Sequence, residues 1–284
     1  MCIVGVNHYE NFPVASLLCP PRWRQPIAAL YAFARTADDL ADEGDMSASQ
    51  RRALLAQYRQ DLGSVFAGQA PCGPWAQVFA GLQRAVQDHR LPQRPLEDLL
   101  DAFEHDTHNI APATRDDLLT YSARSANPIG RLLLHLYGLQ DAVLEQLSDR
   151  VCTGLQLVNF WQDLSVDLPR GRIYLPQEDA QRHGVDLSQP ARLVDSPATQ
   201  ALVGELCSWA ETLLHQGAPL ALALPGRVGW ELRLVVLGGL RVLEKIRTMS
   251  CRTLGQRPVL HAWDVAQMCA RAVRYRSQFS PASR

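Results

Sequence analysis

No Cys-x-x-Cys pair and no Cys/His cluster at zinc-site spacing occurs in this 284-residue chain. Its seven cysteines, at positions 2, 19, 72, 152, 207, 251 and 269, are odd in number and scattered, a pattern of reduced thiols in a cytoplasmic protein rather than of a disulfide framework. The glycine-rich dinucleotide fingerprint, the Walker A loop and the Gly-x-Ser-x-Gly elbow are also missing, so nicotinamide, nucleotide and serine-hydrolase chemistries lack their usual anchors. Charge of one sign is not in excess: 28 Lys+Arg stand against 29 Asp+Glu, a net charge of -1, which withholds the electrostatic footprint a nucleic acid requires. No apolar run reaches the roughly 20 residues that span a bilayer. The segment MCIVGVNHYENFPVAS has no basic stretch followed by an apolar one and a small-residue cleavage site, so neither a membrane span nor a signal peptide is expected. Contact with a membrane surface stays open, because runs such as Pro219 to Leu224 can touch lipid or pack in a core.

What the chain does have is apolar residues at helical spacing along most of its length, with few of the alternating Val/Ile/Thr-rich runs that mark strands. The length suits one large domain, residues 1–284, with a sizeable core. The expectation is an all-α bundle. The spacing predicts helices over 22–43, 47–66, 74–89, 95–109, 115–138, 140–165, 198–222, 228–252 and 262–277, separated by Pro- and Gly-marked breaks such as Pro71–Pro74, Leu168–Gly171 and Arg257-Pro258. Leu232 to Leu243 is apolar nearly all round, as a helix surrounded by others would be, and is predicted to be the central helix. Gly238-Gly239 within it serves either close packing or the lining of an apolar pocket.

Two stretches carry the chemistry. In YAFARTADDLAD, positions 31, 35, 38 and 42 fall on one helical stripe, which gathers Tyr31, Arg35, Asp38 and Asp42. In QLVNFWQDLSVD, positions 156, 159, 163 and 167 do the same with Gln156, Asn159, Asp163 and Asp167. One Asp-x-x-x-Asp is usually a solvated face, and Arg35 could simply pair along its own helix. The repetition is the signal. Facing one another, two such helices would offer hard oxygen ligands to Mg²⁺ and leave coordination positions for water and phosphate oxygens. Arg170 and Arg172, in the turn after the second stretch, either close on a diphosphate or form a solvated basic turn. Tyr121 opens YSARSANPIG, where a thinned or kinked helix would serve a pocket wall or mere bending. His105 and His108 lack a third ligand for a metal. His8 could reach a diphosphate or act in a loop.

These motifs, with YSARSANPIG between them in order, resemble the squalene/phytoene synthase family of head-to-head prenyl synthases. The resemblance runs from about His8 to the Arg257-Pro258 region. It implies a single-domain isoprenoid-synthase helical bundle around a central apolar cavity, with Mg²⁺ assisting loss of diphosphate from a prenyl diphosphate. By motif position it implies Asp38, Asp42, Asp163 and Asp167 as metal ligands, with Arg35, Asn159, Arg170 and Arg172 on the substrate side. It implies Tyr31, Tyr121 and Gln156 at the reacting centre. Many members read NILRD where this chain reads Asn159-Phe160-Trp161-Gln162-Asp163, placing Gln162 where a diphosphate-side arginine is expected. With ENFPVAS and GGLRVLEKI, that departure is similar to the bacterial hopanoid-pathway branch, which converts presqualene diphosphate to hydroxysqualene by water quench. Condensation of two farnesyl or geranylgeranyl diphosphates is the alternative chemistry, and a non-catalytic scaffold of the same fold the remote one. A cytoplasmic enzyme is expected, with the inner membrane face and pathway enzymes as open contacts.

Overall fold

A computed structural model describes residues 19–279; His8 and ENFPVAS lie outside them. Fourteen α-helices and two short 3₁₀ turns, with no strand, occupy these described residues. They are α1 (Pro21–Asp42), α2 (Ala48–Phe66), α3 (Ala76–His89), α4 (Arg94–Asp106), α5 (Arg115–Ser125), α6 (Asn127–Leu136) and α7 (Ala142–Gln162) in the first part. There follow α8 (Leu164–Asp167), α9 (Gln177–Arg182), α10 (Pro197–Gly217), α11 (Leu220–Ala223), α12 (Gly226–Thr248), α13 (Ala262–Val273) and α14 (Tyr275–Phe279). Several starts are written locally. Ser47, Thr114 and Ser196 close capping boxes before α2, α5 and α10, and Asp141 accepts the amides of Val143 and Leu144 before α7, so each satisfies donors that the helix cannot.

Two large apolar clusters, with a small third one of Leu134, Leu220 and Leu224, make the core. In the first, α1 to α4 close around the fully buried Phe33, Tyr58 and Phe79. The Tyr58 ring lies 5.3 Å from Phe33 and 4.6 Å from Phe79, and its hydroxyl donates to the Phe33 carbonyl at 3.1 Å, so the polar tip is satisfied inside the core. In the second, α7, α10 and α12 bury Trp161, Leu206, Leu214, Leu237 and Leu243 among others. The helix at the centre is α7, which packs against α5, α6, α10, α11 and α12. This corrects the expectation for α12, whose 236–243 segment is nonetheless almost wholly buried. A Cβ on Gly239 would come within 2.8 Å of Leu155 and 3.1 Å of Leu214, so close packing is the reason for glycine there. Pro219 to Leu224 is core as well: Leu220, Ala221 and Leu224 are buried.

The predicted 115–138 helix is in fact two. Ala126 leaves helical geometry at φ -120°, ψ -47°. Asn127 then accepts a hydrogen bond from Thr153 at 3.0 Å, and a Cβ on Gly130 would meet Ser148 and lie 2.7 Å from Cys152. The ANPIG run thus turns the chain so that α6 can approach α7 closely. The six cysteines among the described residues are all free. No helix among those residues is long and apolar enough to cross a membrane.

Candidate active site

The seam between the two clusters holds the candidate site. Leu30, Phe33, Ala37 and Ala41 of α1 are buried against the first cluster, which turns the Arg35, Asp38, Asp42 stripe toward the seam. Arg35 pairs with Asp38 at 3.0 Å, Asp39 at 2.6 Å and Glu43 at 2.9 Å. Carboxylates at a helix C-terminus oppose the macrodipole, and α1 ends on three of them with no basic residue in its last turn. Burial, the largest influence, raises the Asp38 pKa, with Arg35 opposing it. Arg51 fastens the turn behind these acids, donating to the carbonyls of Glu43 at 2.9 Å, Gly44 at 2.7 Å and Met46 at 3.1 Å.

The second aspartate pair sits on a second helix end. Asp163 caps the C-terminus of α7 at φ -101°, ψ 11°, and the amide of Asp167 donates to its carbonyl at 2.9 Å. The pair therefore stays one turn apart although the continuous helix predicted to residue 165 stops at Gln162. Burial and the neighbouring Asp163 push the Asp167 pKa up to about 7. Two negative helix ends, each lined with carboxylates, create a local potential that only cations relieve. The cations present are guanidinium groups. Arg172 bonds Asp42 and lies 3.9 Å from Asp167, so it spans both aspartate pairs, and Arg257 bonds Asp163.

Two cavities share Asp38, Ala41, Asp42, Asp106, Asn109 and Arg172 as a common wall. The larger, about 1230 Å³, is rimmed by Arg35, Asn159, Asp163, Arg170 and Arg257 as well. The smaller, about 530 Å³, runs inward past Ala102, Phe103, Leu118, Tyr121, Gln156, Ile173 and Tyr174. Beside it the Tyr174 ring stacks on Phe160 at 3.8 Å and 10°, with Tyr121 6.0 Å from Phe160. The Tyr121 hydroxyl donates to Asp106 at 2.8 Å. Burial drives the Tyr121 pKa well above its ordinary value and pushes Asp106 up to about 7. The layout is a charged outer chamber leading to an aromatic inner one. The former can take a polyanion, and the latter an apolar chain whose developing positive charge faces aromatic rings.

Of the residues singled out from sequence, Arg35, Asp38, Asp42, Asn159, Asp163, Arg170 and Arg172 line the outer chamber, and Tyr121 and Gln156 the inner one. Asp167 and Tyr31 are not among the lining residues of either. Asp167 stands behind the wall near Arg172, and Tyr31 is half-buried on α1. Among the described residues no three His, Cys, Asp or Glu side chains converge as a ready-made metal cage. His105 lines the inner chamber, while exposed His108 lies 3.4 Å from Arg52. Gln162 needs a correction: it is fully buried and turned from the chambers, its Nε2 donating to the Pro258 carbonyl at 2.7 Å. That bond holds the loop bearing Arg257, so a guanidinium reaches Asp163 from far along the chain. Gln162→Leu would leave the Pro258 carbonyl short of a donor, at about 1–3 kcal/mol. It is expected to raise the KM for a prenyl diphosphate roughly tenfold with little change in kcat. Steady-state diphosphate release beside a melting curve checks this; a lower melting temperature with unchanged KM would make Gln162 purely structural.

Sequence reasoning missed Arg257, Asp106 and Tyr174. Arg257 belongs to no periodic stripe. Asp106 was legible, since it lies between the two histidines of EHDTHN and ends α4.

With this geometry in hand, similarity to known proteins is informative. The profile of the squalene/phytoene synthase family matches residues 6–264. A hydroxysqualene synthase of Rhodopseudomonas palustris is 32% identical over 84% of this chain and 80% of its own length. The presqualene diphosphate synthase of the same organism is 30% identical over 66% of this chain and 65% of its own length. The crystal structure of squalene synthase HpnC from Alicyclobacillus acidocaldarius superposes with a TM-score of 0.78 at 34% identity, covering 86% of this chain and 90% of that one. The chain belongs to the squalene/phytoene synthase family.

Proposed function

We propose that this protein ionises presqualene diphosphate and delivers water to the resulting cation, giving hydroxysqualene and diphosphate. The observation that carries the ionisation is the pair of opposed helix ends, α1 and α7, with aspartates and arginines facing one chamber that opens into an aromatic one. The donor set suits Mg²⁺, which is held by a few carboxylates plus phosphate oxygens rather than by a protein cage. Asp38, Asp42 and Asp163 would hold it together with the substrate, with Asp167 behind them. The ion supplies charge neutralisation to the departing diphosphate. Arg35, Arg170, Arg172 and Arg257 bind diphosphate oxygens, each guanidinium able to engage two at once, and Asn159 adds a donor at the same rim.

As the carbon–oxygen bond breaks, the electron pair leaves with diphosphate. The inner chamber then shelters the cation: Tyr121 and Tyr174, backed by Phe160, form its aromatic wall and keep bulk water away. Hydroxysqualene rather than a hydrocarbon requires one water at the cation, whose oxygen forms the new bond as a proton is lost. Tyr121, tied to Asp106, and Gln156 are polar groups on that wall able to seat it. The longer match to the hydroxysqualene synthase than to the presqualene diphosphate synthase of one organism favours this step. The second reading, condensation of two prenyl diphosphates, uses the same chambers.

Incubation of the purified protein with Mg²⁺ and presqualene diphosphate, without nicotinamide, is expected to yield hydroxysqualene by mass spectrometry. Turnover of farnesyl diphosphate instead, with presqualene diphosphate untouched, would assign the protein to condensation.

A further inference from the structure

Helix α13 is apolar on its outer side as well as on its inner one, which buries Met268 and Ala272 in the core. Its inner side carries Asp264, only 3% exposed, which accepts from Arg241 at 2.7 Å and from Lys245 at 2.7 Å; Arg271 beside it pairs with Glu244 at 2.5 Å. Its outer side is Ala262, Trp263, Val265, Ala266, Cys269, Ala270 and Val273, all exposed. At about 100° per residue these seven positions fill one continuous stripe without a single charge. Trp263 is 71% and Val273 73% exposed, an unpartnered patch of the kind that marks an interaction surface.

Two further observations say what covers it. From Val265 to Phe279 there is no acidic residue, and exposed Arg274 and Arg276 follow directly on α13, neither in an ion pair among the described residues. The apolar stripe thus ends in uncompensated positive charge, with a tryptophan at its start, the composition of an interfacial helix on an anionic bilayer. The stripe is also joined to the site. The segment that seats Arg257 at the chamber rim continues through Pro258, bound by Gln162, and exposed Val259 into Trp263.

We propose that the outer face of α13, with Val259 and the arginines that follow, docks the protein on an anionic lipid surface and brings the chamber rim to the lipid–water boundary. An apolar substrate or product would then pass between bilayer and chamber without crossing bulk water. The surface stands on the helix face itself; only this use for it rests on the prenyl-diphosphate reading, and vesicle binding is measured without substrate, so the two fail separately.

The test is co-sedimentation of the full chain with vesicles of equal phosphatidylcholine and phosphatidylglycerol, and with phosphatidylcholine alone. The protein is expected to bind the anionic vesicles, and Trp263→Glu with Val273→Glu to abolish binding while leaving the melting curve unchanged. Arg274→Gln with Arg276→Gln is expected to weaken binding roughly 30-fold, the combined effect of two basic residues near an anionic surface. No binding by the native chain, or equal binding by the Trp263→Glu, Val273→Glu pair, overturns the proposal. So does a native dimer in sedimentation equilibrium that the same pair converts to monomer, since the face would then cover a second copy.

Discussion

Asp38→Asn and Asp163→Asn, made separately, are each expected to lower diphosphate release by about 10²–10³-fold. Each change keeps the shape of the side chain and removes one negative charge from a helix end where two elements converge. The ground state loses little by this, because burial already raises the pKa of Asp38. A carboxyl whose pKa is raised in the fold destabilises it once pH passes above the unfolded value, so Asp38→Asn is expected to melt at an equal or higher temperature. Loss of activity without loss of stability is the signature of charges held for function. Asp163→Asn differs, since Arg257 then loses its carboxylate partner, and some stability is expected to go with it. Calorimetry with Mg²⁺ and inorganic diphosphate supplies a second readout: both variants should lose Mg²⁺-dependent diphosphate binding. If release by both stays within a few-fold of the native chain, the metal-assisted mechanism is wrong.

Asp179→Ala is expected to destabilise the fold by about 3 kcal/mol, the lower end for breaking a buried ion pair. In a chain of this size that lowers the melting temperature by roughly 6–12 °C. Asp179 is fully buried at the start of α9 and accepts from Arg115 of α5 at 2.9 Å and 2.8 Å. Arg182 joins the same carboxylate, and Glu205 of α10 collects Arg115, Arg182 and, at 2.8 Å, His183. Removing Asp179 leaves Arg115 with Glu205 alone, which is why the lower figure applies. The cluster ties the start of α5 to α9 and α10. Alongside it the amides of Gln177 and Glu178 donate to the carbonyls of Pro112 and Ala113, each at 3.0 Å. The lip of the inner chamber, 110–113, and the helix bearing Tyr121 are therefore both anchored here. Thermal unfolding followed by circular dichroism measures the effect, and a shift under about 2 °C would show that the anchor lies elsewhere.

The all-α class, the positions of the long helices and the two aspartate stripes were legible in the chain because helix periodicity is a local property. An Asp four residues from another Asp shares its face whatever lies around it. Even there, locality has limits. Ala126 breaks a run that periodicity reads as one helix, because the Asn127–Thr153 bond and the tight Gly130 contact with α7 reward the turn. The six-residue α9 is too short to carry a periodic signal, and α7, not α12, is central because its neighbours lie on every side.

By itself the sequence determined that two acidic stripes with nearby arginines exist, and that such a repeated pattern needs cations. Only the tertiary structure decided which side chains meet. It placed Asp42 and Arg172 in contact across 130 residues of chain, and it turned Gln162 into the core to seat the loop of Arg257. It also drew Asp106 to Tyr121 and left the apolar stripe of α13 facing outward. Each of these depends on how helices pack over long sequence separations. Side-chain type and spacing constrain which groups a helix face offers, but the partner a face receives is set by the global burial of the remaining apolar surface.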